Sequence, residues 1–284
     1  MLVSTFFSMW FAIYFQDVVE NAVAYFLILS LGILHGTNDL KLIQKTYQFK
    51  GVINFIKILF IYISLVISGI LLFNYLPLFM LSVFILFSAY HFGEQYWHSK
   101  MTDLNLTTKV FYISYGLTVL FLLLAVNYHE ANIIIENIIG TAISTNIYVY
   151  LLPPSAFLFL FFSIKLYLEK KMHSSIVEEF FYLLVFYIIF QTTSLLWGFA
   201  IYFIFWHSIP SLTDQVSFLY GNTTKKSFIK YLKSSVLYWS ISILGLALLY
   251  LILRNNDKLF LSVFFTLMAA ITFPHVWVMS KLNK

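Results

Sequence analysis

Four histidines in this chain stand in runs of otherwise apolar residues. They are His35 in Gly32-Ile33-Leu34-His35-Gly36-Thr37-Asn38-Asp39, His91 in Ala89-Tyr90-His91-Phe92-Gly93-Glu94, His207 in Phe205-Trp206-His207-Ser208, and His275 in Phe273-Pro274-His275-Val276. Polar side chains in such surroundings cost free energy unless they are paired or ligate something. Neutral imidazole is the commonest metal-ligating side chain, and an all-nitrogen set suits iron, zinc or copper better than magnesium or calcium. The reading is that these four histidines come together to hold a metal. Two carboxylates accompany them: Asp39 follows His35 by four residues and Glu94 follows His91 by three. On a helix those spacings share a face. A carboxylate there accepts the second ring N–H of a ligand histidine and fixes its orientation. Asp39 and Glu94 are therefore assigned to the catalytic site, against the plainer role of solvating helix ends. Gly36 and Gly93, close after their histidines, let helix backbones approach.

The elements that must position these groups are membrane helices. The chain has 284 residues, 61% of them hydrophobic and only 10% charged, with a mean hydropathy of +0.87. Soluble domains carry about 25% charged residues. A spanning helix needs roughly 20 apolar residues. That ruler gives about ten candidates, near 1–16, 19–37, 51–74, 76–92, 109–127, 150–168, 176–192, 194–210, 232–253 and 258–279. The fold expected is all-α, one polytopic transmembrane helical domain over 1–284. Pro77, Pro153, Pro154 and Pro274 are expected near helix ends or in turns, and Pro210 is expected to end or kink the eighth helix. The stretch 128–150 reads as an interfacial or re-entrant element.

The basic residues orient this layout. With the N-terminus in the cytoplasm, Lys41, Lys45, Lys50, Lys57, Lys100, Lys109, Lys165, Lys170, Lys171, Lys225, Lys226, Lys230, Lys233, Lys281 and Lys284 fall inside. Only Arg254 and Lys258 fall outside, so both termini are expected in the cytoplasm. His35, His91, His207 and His275 then end helices that run the same way, at one depth near the cytoplasmic boundary. His98 and His173 lie in inner loops and His129 in an outer loop. No Lys or Arg precedes Lys41, so the first apolar run is expected to stay as a helix rather than to be a cleaved signal. Cysteine is absent, which removes disulfides, thiolate ligands and a Cys nucleophile. The net charge of +5 is spread over short loops and does not form a nucleic-acid patch.

At these residues the chain resembles the Brp/Blh family of membrane-bound β-carotene 15,15′-dioxygenases. The resemblance lies in His35-Gly36-x-x-Asp39, His91-Phe92-Gly93-Glu94, Phe205-Trp206-His207-Ser208 and Pro274-His275, in their order, and in the polytopic frame from end to end. It implies an Fe(II) enzyme that uses O2 to split the central double bond of β-carotene into two all-trans-retinal. It implies His35, His91 and His207 as iron ligands, and the retinal product makes a microbial rhodopsin the implied acceptor. The membrane lipid is where such a substrate dissolves, and the cytoplasmic (inner) membrane is the expected location. Tyr90, Trp97, Tyr202, Phe203, Trp206 and Trp277 are the aromatics expected to line a substrate channel, with ordinary helix packing as their alternative.

The chain departs from that family at one position. The family shows His-Ser-x-x-His, whereas this chain has His207-Ser208-Ile209-Pro210-Ser211. Three histidines with water, or a fourth from His275 or His98, would complete the site; equal depth favours His275. Three other classes compete. A divergent, non-catalytic partner in retinal or rhodopsin biogenesis is one. A transporter would need polar groups through the membrane's depth, and the helices are apolar across their centres. A diiron desaturase would need about eight histidines in paired clusters, and this chain has seven.

Overall fold

The computed structural model describes residues 1–15, 17–142 and 147–282. Residue 16, residues 143–146 of the 128–150 stretch, and Lys284, expected on the cytoplasmic side, lie outside the described residues. Among the described residues the regular elements are all helices, and one isolated bridge joins Met101 and Met172.

Thirteen α-helices follow one another among the described residues: α1 (Leu2–Tyr14), α2 (Asp17–Leu27), α3 (Asp39–Thr46), α4 (Val52–Tyr75), α5 (Pro77–Trp97), α6 (Leu106–Val126), α7 (Tyr128–Ile139), α8 (Ile147–Leu168), α9 (Ile176–Thr192), α10 (Leu195–Ile201), α11 (Ile209–Tyr220), α12 (Lys225–Leu253) and α13 (Asp257–Leu282). Two π-helical segments interrupt them, Ile28–Gly32 after α2 and Tyr202–Ser208 between α10 and α11. Among the described residues seven helices are long and apolar enough to cross a membrane: Val52–Tyr75, Pro77–Lys100, Leu106–Val126, Ile147–Leu168, Leu195–Tyr220, Lys225–Leu253 and Ser262–Leu282.

The other three expected runs do form helices, but shorter ones. They are Leu2–Tyr14, Val18–Gly32 and the 17-residue α9. At about 1.5 Å of rise per residue each falls short of the roughly 30 Å hydrocarbon core. Pro77 opens α5 as expected, but other prolines differ from expectation. Pro153 and Pro154 lie inside α8 and Pro274 inside α13, where an apolar helix continues through them. Pro210 stands in the first turn of α11, directly after the π segment Tyr202–Ser208. The helix continues beyond it.

The contacts group the chain into two compact units. The first comprises Met1–Tyr25, Ile85–Glu136 and Thr141–His207. Its centre is the crossing of α5 and α6. A Cβ on Gly93 would overlap the Tyr112 backbone, and one on Gly116 would overlap the Ala89 backbone, so only glycine admits this approach. Trp97, Phe111, Tyr115 and Phe159 pack edge to face and stacked beside it, joining α5, α6 and α8. The Glu179 carboxylate of α9 accepts from Tyr96 Oη at 2.6 Å and Lys100 Nζ at 2.7 Å, tying α9 to the end of α5.

The second unit comprises Phe26–Phe84, Asn137–Gly140 and Ser208–Lys284. Here α3 is amphipathic. Its Leu40, Leu42 and Ile43 pack with Ile58 of α4 and with Val278 and Met279 of α13. On its other side Lys45 Nζ donates to the Phe218 and Leu219 carbonyls at the end of α11, where a cation suits the helix dipole. Gly69 of α4 faces Ala270 of α13, a small-residue crossing of the kind that lets membrane helices approach.

Candidate metal centre

In the first unit α5 and the π segment each present a histidine. The His91 and His207 rings meet edge to face, centroids 4.6 Å apart and planes at 79°, and both residues are buried. Phe92 lies 4.7 Å from the His207 ring and Phe203 stacks on it at 5.6 Å. The pair is therefore walled by aromatic carbon. The close α5–α6 crossing brackets His91, with Ala89 before it and Gly93 after it in contact with α6. The π segment carries His207, and π turns of this kind concentrate at functional sites. Two carboxylates hold the start of the helix that leads there: Glu20 accepts from Ser194 N at 3.2 Å and from Ser194 Oγ, and Glu130 accepts from Leu195 N at 3.0 Å.

In the second unit His35 leaves the end of the π segment Ile28–Gly32 and enters a run of tight turns. Gly36 N, Thr37 N and Asp39 N donate to the Ile33, Leu34 and Gly36 carbonyls respectively. The His35 and His275 rings meet edge to face at 4.8 Å, and both residues are buried. His275 Nδ1 is 3.0 Å from each Asp39 oxygen, and Tyr62 Oη donates to Asp39 Oδ2 at 2.8 Å. The sequence paired Asp39 with His35 by helical spacing; the turn at 35–38 breaks that spacing, and the structure gives the carboxylate to His275.

The turn that carries His35 is fastened by α12. Asn38 Nδ2 donates to Ser235 Oγ at 2.6 Å, Ser234 Oγ donates to Asn38 Oδ1 at 2.7 Å, and Tyr231 Oη lies 3.4 Å from the Leu34 carbonyl. Tyr231 also donates to Gln215 Oε1 at 2.8 Å, and Gln215 Nε2 donates to Ser211 Oγ at 3.2 Å. Ser211, fully buried, is thus part of a neutral hydrogen-bond chain.

The remaining expected residues fall as follows. Glu94 is buried and accepts from Tyr90 Oη at 2.7 Å, one turn apart on α5. Tyr202 and Phe203 surround Phe92, beside His207. Trp97 is wholly buried in the α5–α6–α8 core. Trp206 donates its indole N–H to Thr5 Oγ1 at 3.0 Å and packs on Phe186. Trp277 is exposed and stacks on Tyr47; two positions on from His275, it leaves the opposite side of α13. His129 and His173 are exposed and His98 is half-buried in a 3₁₀ turn. Sequence reasoning missed Tyr62, Phe92, Asn38, Gln215 and Tyr231. Phe92 and Asn38 carried a local signal, their places beside His91 and Asp39.

The donors suit a borderline transition metal: buried imidazoles in an apolar setting, one of them oriented by a carboxylate. Comparison with known proteins gives a family match. A family model described as beta-carotene 15,15′-dioxygenase covers residues 26–283. No curated protein and no solved structure matches.

Proposed function

This chain belongs to the beta-carotene 15,15′-dioxygenase family, and on that basis we propose a membrane-bound non-haem Fe(II) enzyme that cleaves the central double bond of β-carotene with O2 to give two all-trans-retinal. The observation that carries this reading is the burial of His35, His91 and His207, each offering one ring nitrogen to an ion. In the proposal these three hold the iron and His275 is the fourth ligand. Iron bound there supplies the activation of O2.

The chain's own residues do the rest. Asp39 accepts the Nδ1–H of His275 and so presents its other nitrogen. Glu94, held by Tyr90, is the second carboxylate of the site. Phe92, Tyr202 and Phe203 around His207 make an apolar wall that excludes water and suits a polyene. Tyr90 extends that wall, Trp97 and Trp206 shape it from behind, and Trp277 marks a lipid-facing entrance. With the three shorter helices crossing where the bilayer thins locally to meet them, ten crossings put both termini on the cytoplasmic side of the inner membrane. The partners are then β-carotene and O2 drawn from the lipid, and a microbial rhodopsin that takes up retinal.

The test is direct. Purified protein supplied with Fe(II) and β-carotene in detergent or nanodiscs yields retinal; folded, iron-loaded protein that yields none sinks the proposal. Ser211 in its hydrogen-bond chain favours a second reading, a non-catalytic partner in retinal biogenesis. Protein that binds no iron would favour that one.

A further inference from the structure

We propose that Tyr62 is a positioning residue for His275, acting through Asp39; this rests on the reading of His275 as an iron ligand. Asp39 is buried, and a carboxylate can only accept hydrogen bonds. It has two neighbours placed to donate: His275 Nδ1, 3.0 Å from both oxygens, and Tyr62 Oη, 2.8 Å from Oδ2. Acceptance at Nδ1 fixes the His275 tautomer and leaves Nε2 with the lone pair that a metal needs.

Three elements meet at this carboxylate. Asp39 opens α3, where the helix N-terminus favours an anion. Tyr62 stands in α4 and His275 in α13. A carboxylate on a single side-chain stem can turn about its last bond, and the imidazole alone would follow it. The phenol removes that freedom by holding one oxygen from the α4 side. Tyr62 thus sets the plane of the carboxylate, and through it the direction of the His275 ring. Nothing in the local sequence marks it, since 23 residues separate it from Asp39.

The test is Co(II) titration of the metal-free, full-length protein in detergent, read by the visible absorption of the bound ion. Variants are Tyr62→Phe, which removes only the hydroxyl, His275→Asn, their combination, and Asp39→Asn as a second route to the same loss. Wild type binds Co(II). Tyr62→Phe weakens it roughly tenfold and shifts the absorption band, and Asp39→Asn weakens it further, within the range of about 10- to 100-fold for groups that orient ligands. In the His275→Asn background, Tyr62→Phe has no further effect, an interaction that mere helix packing would not produce. Unchanged affinity in both Tyr62→Phe and Asp39→Asn, or additive effects of Tyr62→Phe and His275→Asn, overturns the role of Tyr62 while the metal site stands. A wild-type chain that takes up neither Co(II) nor Fe(II) overturns the metal site itself.

Discussion

Gly93 and Tyr112 lie so close that the α-hydrogen of Gly93 occupies space no methyl group could share with the Tyr112 carbonyl. Two residues before Gly93 stands His91, so the crossing of α5 and α6 sets where that imidazole sits. Gly93→Ala forces the helices apart. The expected cost is at least about 1–3 kcal/mol, the range for overpacking, and iron content falls with it. Gly116→Ala, at the reciprocal contact with Ala89, behaves alike. Thermal unfolding in detergent, with metal analysis of the same samples, checks both.

His91→Ala and His207→Ala each remove one of two imidazoles that face each other at 4.6 Å. Both variants, and His35→Ala, lose iron and retinal formation by more than about tenfold, while His129→Ala and His173→Ala, at exposed positions, keep both. Atomic-emission analysis and retinal chromatography on matched preparations give the result. Retention of full iron by the His91 and His207 variants would count against the site.

Ser211→His restores the residue that the family resemblance leads one to expect. The buried Ser211 hydroxyl accepts from Gln215, and that amide in turn accepts from Tyr231. An imidazole there must displace this chain. The variant is expected to be destabilised by about 1–3 kcal/mol and to gain no affinity for Co(II). Tighter binding would mean that the position still faces the metal.

Glu20→Gln weakens the anchor at Ser194 that starts the helix leading to His207. Replacing a charged acceptor by a neutral one in this buried place costs about 1 kcal/mol of stability. The same change at exposed Glu130 costs less, since solvent screens it. Denaturation midpoints of the two variants, side by side, test the ordering.

The apolar runs announced the helices because an 18-residue apolar stretch has few other fates, and each of the ten runs became helix. Length was the weaker guide. Runs 1–16 and 19–37 counted loop residues such as Phe15, Gly36 and Thr37 with their helices, whereas run 176–192 matches α9 and is simply 17 residues long. Pro153, Pro154 and Pro274 misled because a membrane helix tolerates proline inside. For the site, the sequence led to four histidines at one depth; the structure brings the His91 ring to His207 and the His35 ring to His275. Depth could not foresee that Asp39 serves His275, which lies 236 residues away and is reached only once α3, α4 and α13 have packed. Ser211 was legible as a departure, but its partners were not. Gln215 and Tyr231 are ordinary helix residues until folding brings them together.

The widened turn at Tyr202–Ser208 has a geometric corollary. Its backbone spends one residue more per loop than a regular helix does, so a single deletion there could be absorbed by relaxation to ordinary helical winding. His207 would then emerge about a quarter turn around the axis from its present bearing. Such a deletion would preserve every histidine in the chain and still blind this one to His91, separating the possession of ligands from their aim.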